Sequence, residues 1–167
     1  MAEVTAFRVS SPDFVPGGTV KKAQVFDGWG ETGGNLSPEL SWSGAPAGTR
    51  SFAVTVYDPD APTGSGWWHW QAYDIPSGVT RLPAGAGTPG KGGAPAGMVQ
   101  GRNDYGARGY GGPCPPPGDR PHRYVLTVFA LKVERLEVGP DASCAAVGFN
   151  LNANALATAS VTSLYGR

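Results

Sequence analysis

Two carboxylates, one imidazole and three of the chain's five tryptophans fall within one short stretch, Asp58 to Trp70, which reads DPDAPTGSGWWHW. Carboxylate beside imidazole is proton-holding chemistry: Asp58 can orient a histidine ring and raise its pKa, so that the pair presents a proton to an anion. The second of the two histidines, His122, stands in Pro121-His122-Arg123-Tyr124, just after the run Gly109-Tyr110-Gly111-Gly112-Pro113-Cys114-Pro115-Pro116-Pro117. Backbone N–H groups of such a glycine turn can point into a cavity with no side chain in the way, a concavity that suits phosphate or carboxylate. The two-residue period of a strand puts His122 and Tyr124 on one face, with Arg123 on the other. A small aromatic-walled, polar-floored pocket is expected, in which both imidazoles, the Tyr124 hydroxyl and loop N–H groups donate to an anion.

Each of these residues also has an ordinary use. Aspartates in turns bind their own backbone, histidines are packed into interiors, and tryptophans are more often core than ligand wall. Both histidines of the chain nevertheless adjoin the acid turn or the glycine-proline loop, which favours a shared site. A hydrolase is the competing chemistry, with Cys114 or Ser65 as nucleophile beside the Asp/His pair. Ser65 lies in Gly-Ser-Gly rather than a Gly-x-Ser-x-Gly elbow, and Cys114 lies between prolines with no helix start to activate it. Asp58, His69 and His122 could also form a two-histidine, one-carboxylate metal set. A third class is an interaction protein with a vestigial pocket, using the loop Thr80 to Gly97 or an exposed strand. Gly85 to Lys91 begins like a phosphate-binding loop, but Pro89 interrupts it and Gly92 stands where a Ser or Thr would hold magnesium.

The elements that must position these groups are mostly strands. Phe52 to Tyr57 alternates and leads into the acid turn, stiffened by Pro59 and Pro62, and the aromatic cluster begins a return strand running through Gln71 to Ile75. Ala6 to Ser10, Val20 to Phe26 and Leu40 to Trp42 read as further short strands. Tyr124 to Leu131 is apolar on both faces, as in a strand buried between layers, and should be central. Gly and Pro make up about a quarter of the chain and cluster in Thr80 to Gly97 and Gly101 to Gly118, marking loops. Ala142 to Leu164 reads as a C-terminal helix with Val147, Leu151, Ala155 and Thr158 on one stripe, capped by Asp141 or Ser143 and ended at Gly166. Asn150, Asn152 and Asn154 weaken its middle.

The chain has 167 residues, suited to a single domain over 1–167. Its 13 basic and 13 acidic residues cancel, against a nucleic-acid surface. The start, Met1 to Thr5, does not resemble a leader, and no apolar run is long enough for a membrane span, so a cytoplasmic protein is expected. Cys114 and Cys144 are then expected as free thiols.

Asp58-Pro59-Asp60-Ala61-Pro62, then Trp67 and His69, then Gly112-Pro113 with the proline run, then His122-Arg123-Tyr124, resemble in order and spacing the phosphatidylethanolamine-binding proteins, also called Raf kinase inhibitor-like proteins. Asn35-Leu36-Ser37-Pro38 with Leu40-Ser41-Trp42, and Gly101-Arg102-Asn103-Asp104-Tyr105-Gly106, look like the bacterial branch. The resemblance covers nearly the whole chain. It implies a mostly β fold of antiparallel sheets with Greek-key-like connections and a C-terminal helix. It further implies a pocket at one end for a phosphoryl or carboxylate group, lined by Asp58, Asp60, Trp67, His69, Gly112, Pro113, His122 and Tyr124. No cofactor and no catalysis are implied; a homodimer is, and modulation of a kinase or other protein partner stays open. Trp68 stands where eukaryotic members often carry a second histidine, and Cys114 is absent from them. The resemblance and the sharp return after the acid turn together predict a cis Ala61-Pro62 bond.

Overall fold

The computed structural model describes residues 5–167, so most of the segment judged for a leader, 1–4, lies outside the described residues. A five-stranded antiparallel sheet dominates, in the order β6 (Val99–Gln100), β4 (Trp67–Pro76), β3 (Ser51–Asp58), β7 (His122–Leu131), β8 (Ala155–Tyr165). A smaller antiparallel sheet joins β1 (Arg8–Ser10), β2 (Leu40–Ser43) and β5 (Arg81–Leu82). The strand flanking the acid turn forms as its alternation predicts, and β7 is interior, though β3 rather than β7 is the middle strand.

Alternation along β3 and β7 sorts the core into two layers. Phe52, Val54, Val56, Leu126, Val128 and Ala130 face the small sheet and pack with Leu40, Trp42, Leu82 and Trp70. Ala53, Phe129 and Leu131 face the other way, against Val147 and Leu151 of the helix α1 (Cys144–Asn154). Burying each of the Val, Leu and Phe side chains is worth about 1.5–3 kcal/mol, so apolar residues on both faces of β7 are what a covered strand requires.

Two elements differ from expectation. Val20 to Phe26 is no strand: Lys22–Gln24 make one turn of 3-10 helix, and only Thr19 bridges to Leu164. The Ala23 and Val25 carbonyls accept instead from Leu36 and Asn35 N–H, tying this segment to a loop. The C-terminal helix is present but shorter than predicted. Ser143 is its N-cap, accepting from Ala146 N–H at 3.1 Å, and Val147 and Leu151 form its buried stripe. It stops at Asn154, where the Asn154 carbonyl accepts from Lys132 N–H at 3.0 Å, and Ala155–Tyr165 turns back as β8. Ala155 and Thr158 are therefore strand residues, and Gly166 ends no helix. Pairing with β7 along nearly its whole length outweighs the Ala and Leu content of the segment.

One irregularity bears on the site. Val56 pairs with Trp70 and Tyr57 with Trp68, so His69 is the extra residue of a β-bulge. Such a bulge re-aims its side chain relative to a regular ladder.

Candidate functional site

Asp58 ends β3 with its carboxylate buried and used twice. Oδ1 accepts the Asp60 N–H at 2.8 Å, the aspartate turn in its ordinary form. Oδ2 accepts from His122 Nδ1 at 2.7 Å, so the turn and the carboxylate–imidazole pair are one construction. The other ring nitrogen of His122, Nε2, donates to Asp119 Oδ2 at 2.8 Å. A ring that donates from both nitrogens is an imidazolium. Burial works against its charge, but the hydrogen bonds and charges of Asp58 and Asp119 prevail and raise its pKa above the ordinary histidine value.

His69 is in the opposite state. Its Nδ1 donates to the Gly111 carbonyl at 2.7 Å, the ring is 2% exposed, and burial pushes its pKa down to about 4. A neutral ring protonated at Nδ1 leaves Nε2 as an acceptor. His69 is therefore not the N–H donor that the sequence predicts. Its ring meets Tyr105 and Tyr124 edge-on, with centroids 5.7 and 5.3 Å away.

Asp58, Trp67, His69, His122 and Tyr124 line one cavity of about 280 Å³. Two of the lining residues carry unpaired donors: Tyr124 Oη and Trp67 Nε1 are both buried without a hydrogen-bond partner in the protein. Burial raises the pKa of Tyr124, so the hydroxyl keeps its proton. Tyr105 donates its hydroxyl to the Gly112 carbonyl at 2.7 Å and presents its ring to Trp67.

Three predicted site residues lie elsewhere. Asp60 faces Arg123, which grips it with Nε at 3.0 Å and a terminal guanidinium nitrogen at 2.8 Å while its backbone N–H adds a third bond at 2.8 Å. The side-chain bond from Arg123 chiefly holds the Asp60 pKa down, at about 2. Gly112 and Pro113 are not among the residues that line the cavity. The glycine turn is no anion nest: the N–H groups of Gly109, Tyr110 and Gly111 bond to the carbonyls of Gly101, Gly87 and His69, and that of Gly112 to Asn35 Oδ1. A side chain at Gly112 would overlap the Gln24 carbonyl, so this glycine serves close packing. Trp68 packs on Tyr57, with centroids 4.3 Å apart, and does not line the cavity. The turn needs no cis proline: among the described residues every peptide bond, Ala61-Pro62 included, is trans.

Sequence reasoning missed Trp29, Tyr105 and Arg167 on the cavity wall. Trp29 sits between two glycines at φ 55, a left-handed conformation rare for a bulky residue, which was invisible beforehand. Arg167 is brought in from the chain end, donating to the Pro115 carbonyl at 2.7 Å and lying 3.4 Å from Glu31. Cys114 also lines the cavity, its sulfur against the Gly28 and Trp29 carbonyls and its pKa raised by burial. Ser65 is outside the lining, and among the described residues no group of three or more His, Cys, Asp or Glu is placed to hold a metal ion.

The family model of the phosphatidylethanolamine-binding protein matches residues 10–166. The chain belongs to that family. Among members of the phosphatidylethanolamine-binding protein family, it is 54% identical to the UPF0098 protein YbcL of Escherichia coli K12 over 164 residues, 98% of this chain and 90% of YbcL. It is 48% identical over 158 residues to YbhB of the same organism, covering 95% of this chain and 99% of YbhB. The crystal structure of E. coli YbcL, described as a new member of the mammalian PEBP family, superposes with a TM-score of 0.94 at 53% identity, covering 98% and 99% of the two chains. Membership accords with ligand binding and with the two antiparallel sheets described above. Among the described residues no helix is long and apolar enough to cross a membrane.

Proposed function

We propose that this protein binds a small oxyanion, a phosphoryl or carboxylate group, in the cavity between the acid turn and the proline loop. The observation that carries the reading is the pair of orphan donors, Tyr124 Oη and Trp67 Nε1. A buried donor without a partner costs about 1–3 kcal/mol, and two such donors on residues that line one cavity call for an acceptor there. His69 Nε2 adds an acceptor for a protonated oxygen of the ligand, while the His122 imidazolium is shared between the Asp58 and Asp119 carboxylates. Residues of the aromatic wall lower the local dielectric and strengthen these bonds.

Binding is favoured over hydrolysis by the state of the candidate nucleophiles. The Cys114 thiol is held protonated by burial and rests against carbonyl oxygens rather than an imidazole. Both nitrogens of His122 are engaged elsewhere, and His69, whose Nε2 is unengaged, is made a weak base by burial, which holds its pKa down to about 4, so neither ring is set to activate the thiol.

Calorimetric titration with inorganic phosphate, acetate and a phosphate monoester tests the reading. The wild-type protein should bind at least one, and Tyr124→Phe and Trp67→Phe should each weaken it by about tenfold or more. Unaltered affinity in both variants, or no binding by the folded wild-type protein, overturns it.

A further inference from the structure

Of the two carboxylates on His122, one is fixed and the other is releasable. Asp58 is 4% exposed at its side chain, and its other oxygen is pinned by the Asp60 N–H. Asp119 is 39% exposed at its side chain and sits on the solvent-facing turn after Pro116 and Gly118. Gly118 there has φ 86 and open space around it. Water can therefore take over the Asp119 oxygens at little cost, which it cannot do for Asp58.

Nε2 is the only donor that His122 could offer a ligand, since Nδ1 is held by Asp58, and Asp119 already occupies it at 2.8 Å. His122 lines both the aromatic cavity and a separate groove of about 690 Å³, and Asp119 lines the groove. Arg120 lines the same groove and makes no ion pair among the described residues, so a positive side chain is at hand for an entering or a displaced anion. A carboxylate on an imidazolium N–H is chemically the same contact that an external phosphoryl or carboxylate oxygen would make.

We propose that Asp119 is a built-in competitor: its carboxylate holds the His122 Nε2 position, and an oxyanion gains that donor only by displacing it. The proposal rests on the oxyanion-binding reading of the neighbouring cavity. It also makes Asp119 a determinant of affinity, because an anion must offer more than the tethered carboxylate it replaces. Deleting the competitor therefore strengthens binding, an unusual direction for a residue at the edge of a site.

Titration with inorganic phosphate at about pH 6, near the ordinary histidine pKa, compares wild type, Asp119→Ala, Asp119→Asn and Tyr124→Phe, each first shown folded by a thermal melt. Asp119→Ala should bind about ten- to hundredfold tighter than wild type. Asp119→Asn, whose amide oxygen still accepts from Nε2 but carries no charge, should fall between the two. Equal gains in the Ala and Asn variants that disappear in high salt would show a remote charge effect and overturn the displacement model. Unchanged affinity in Asp119→Ala, with weakened binding in Tyr124→Phe, overturns this proposal and leaves the oxyanion cavity standing. No phosphate binding by either wild type or Asp119→Ala overturns both.

Discussion

His69 Nδ1 donates to the Gly111 carbonyl at 2.7 Å, and Gly111 N–H returns a bond to the His69 carbonyl at 2.9 Å. This two-way tie fixes the ring's tautomer and locks the glycine turn to the bulge in β4. Within one cavity the protein thus keeps one histidine neutral and the other charged. Their responses to pH are opposite in sign.

For His69 the folded pKa, about 4, lies below the ordinary 6.5, so its contribution to stability is complete above about 6.5 and is lost as pH falls toward 4. The gap amounts to roughly 3 kcal/mol. In His69→Gln, whose amide can still donate to Gly111, the fall in melting temperature between these pH values should be smaller than in wild type. An identical pH profile would refute the buried neutral ring.

His122 behaves in reverse, because its folded pKa is raised. The stability it supplies is complete below the ordinary histidine value and is lost as pH rises through the raised folded value. Nuclear magnetic resonance titration of its ring should show this elevation, and Asp58→Asn should bring the pKa down while destabilising the protein by about 1–3 kcal/mol, most on the acid side. An unmoved His122 pKa in that variant would detach Asp58 from this role.

Neither cysteine is paired among the described residues. Burial pushes the Cys144 thiol up to about 12, and its Sγ lies 3.1 Å from the Arg102 carbonyl. In the native protein Cys144 should resist a thiol reagent while the half-exposed Cys114 reacts slowly, and denaturation without reductant should release two thiols per chain. Fewer than two would contradict the structure.

Much of the site was legible in the sequence wherever the signal is local. Alternation in Phe52 to Tyr57, the turn chemistry of Asp58-Pro59-Asp60, the shared face of His122 and Tyr124, and the Ser143 cap all act over a few residues. Short-range sterics and hydrogen bonding decide such features, and they appear as predicted. The return strand after the acid turn added the expectation that His69 joins them, and the family resemblance added Trp67. What the tertiary structure decided is partnership over distance. Asp58 chose His122, 64 residues away, over the nearer His69, because the β3–β7 pairing sets their side chains together while the bulge turns His69 to Gly111. Asp60 went to Arg123, and the glycine N–H groups went to neighbouring carbonyls and Asn35 rather than to a ligand. Residues 155–165 became a strand because β7 offered a full ladder of partners, and Arg167 reached the cavity because that strand ends beside it. Hydrogen-bond demand is written in residue types, but which partner satisfies it depends on where the folded chain brings distant segments together.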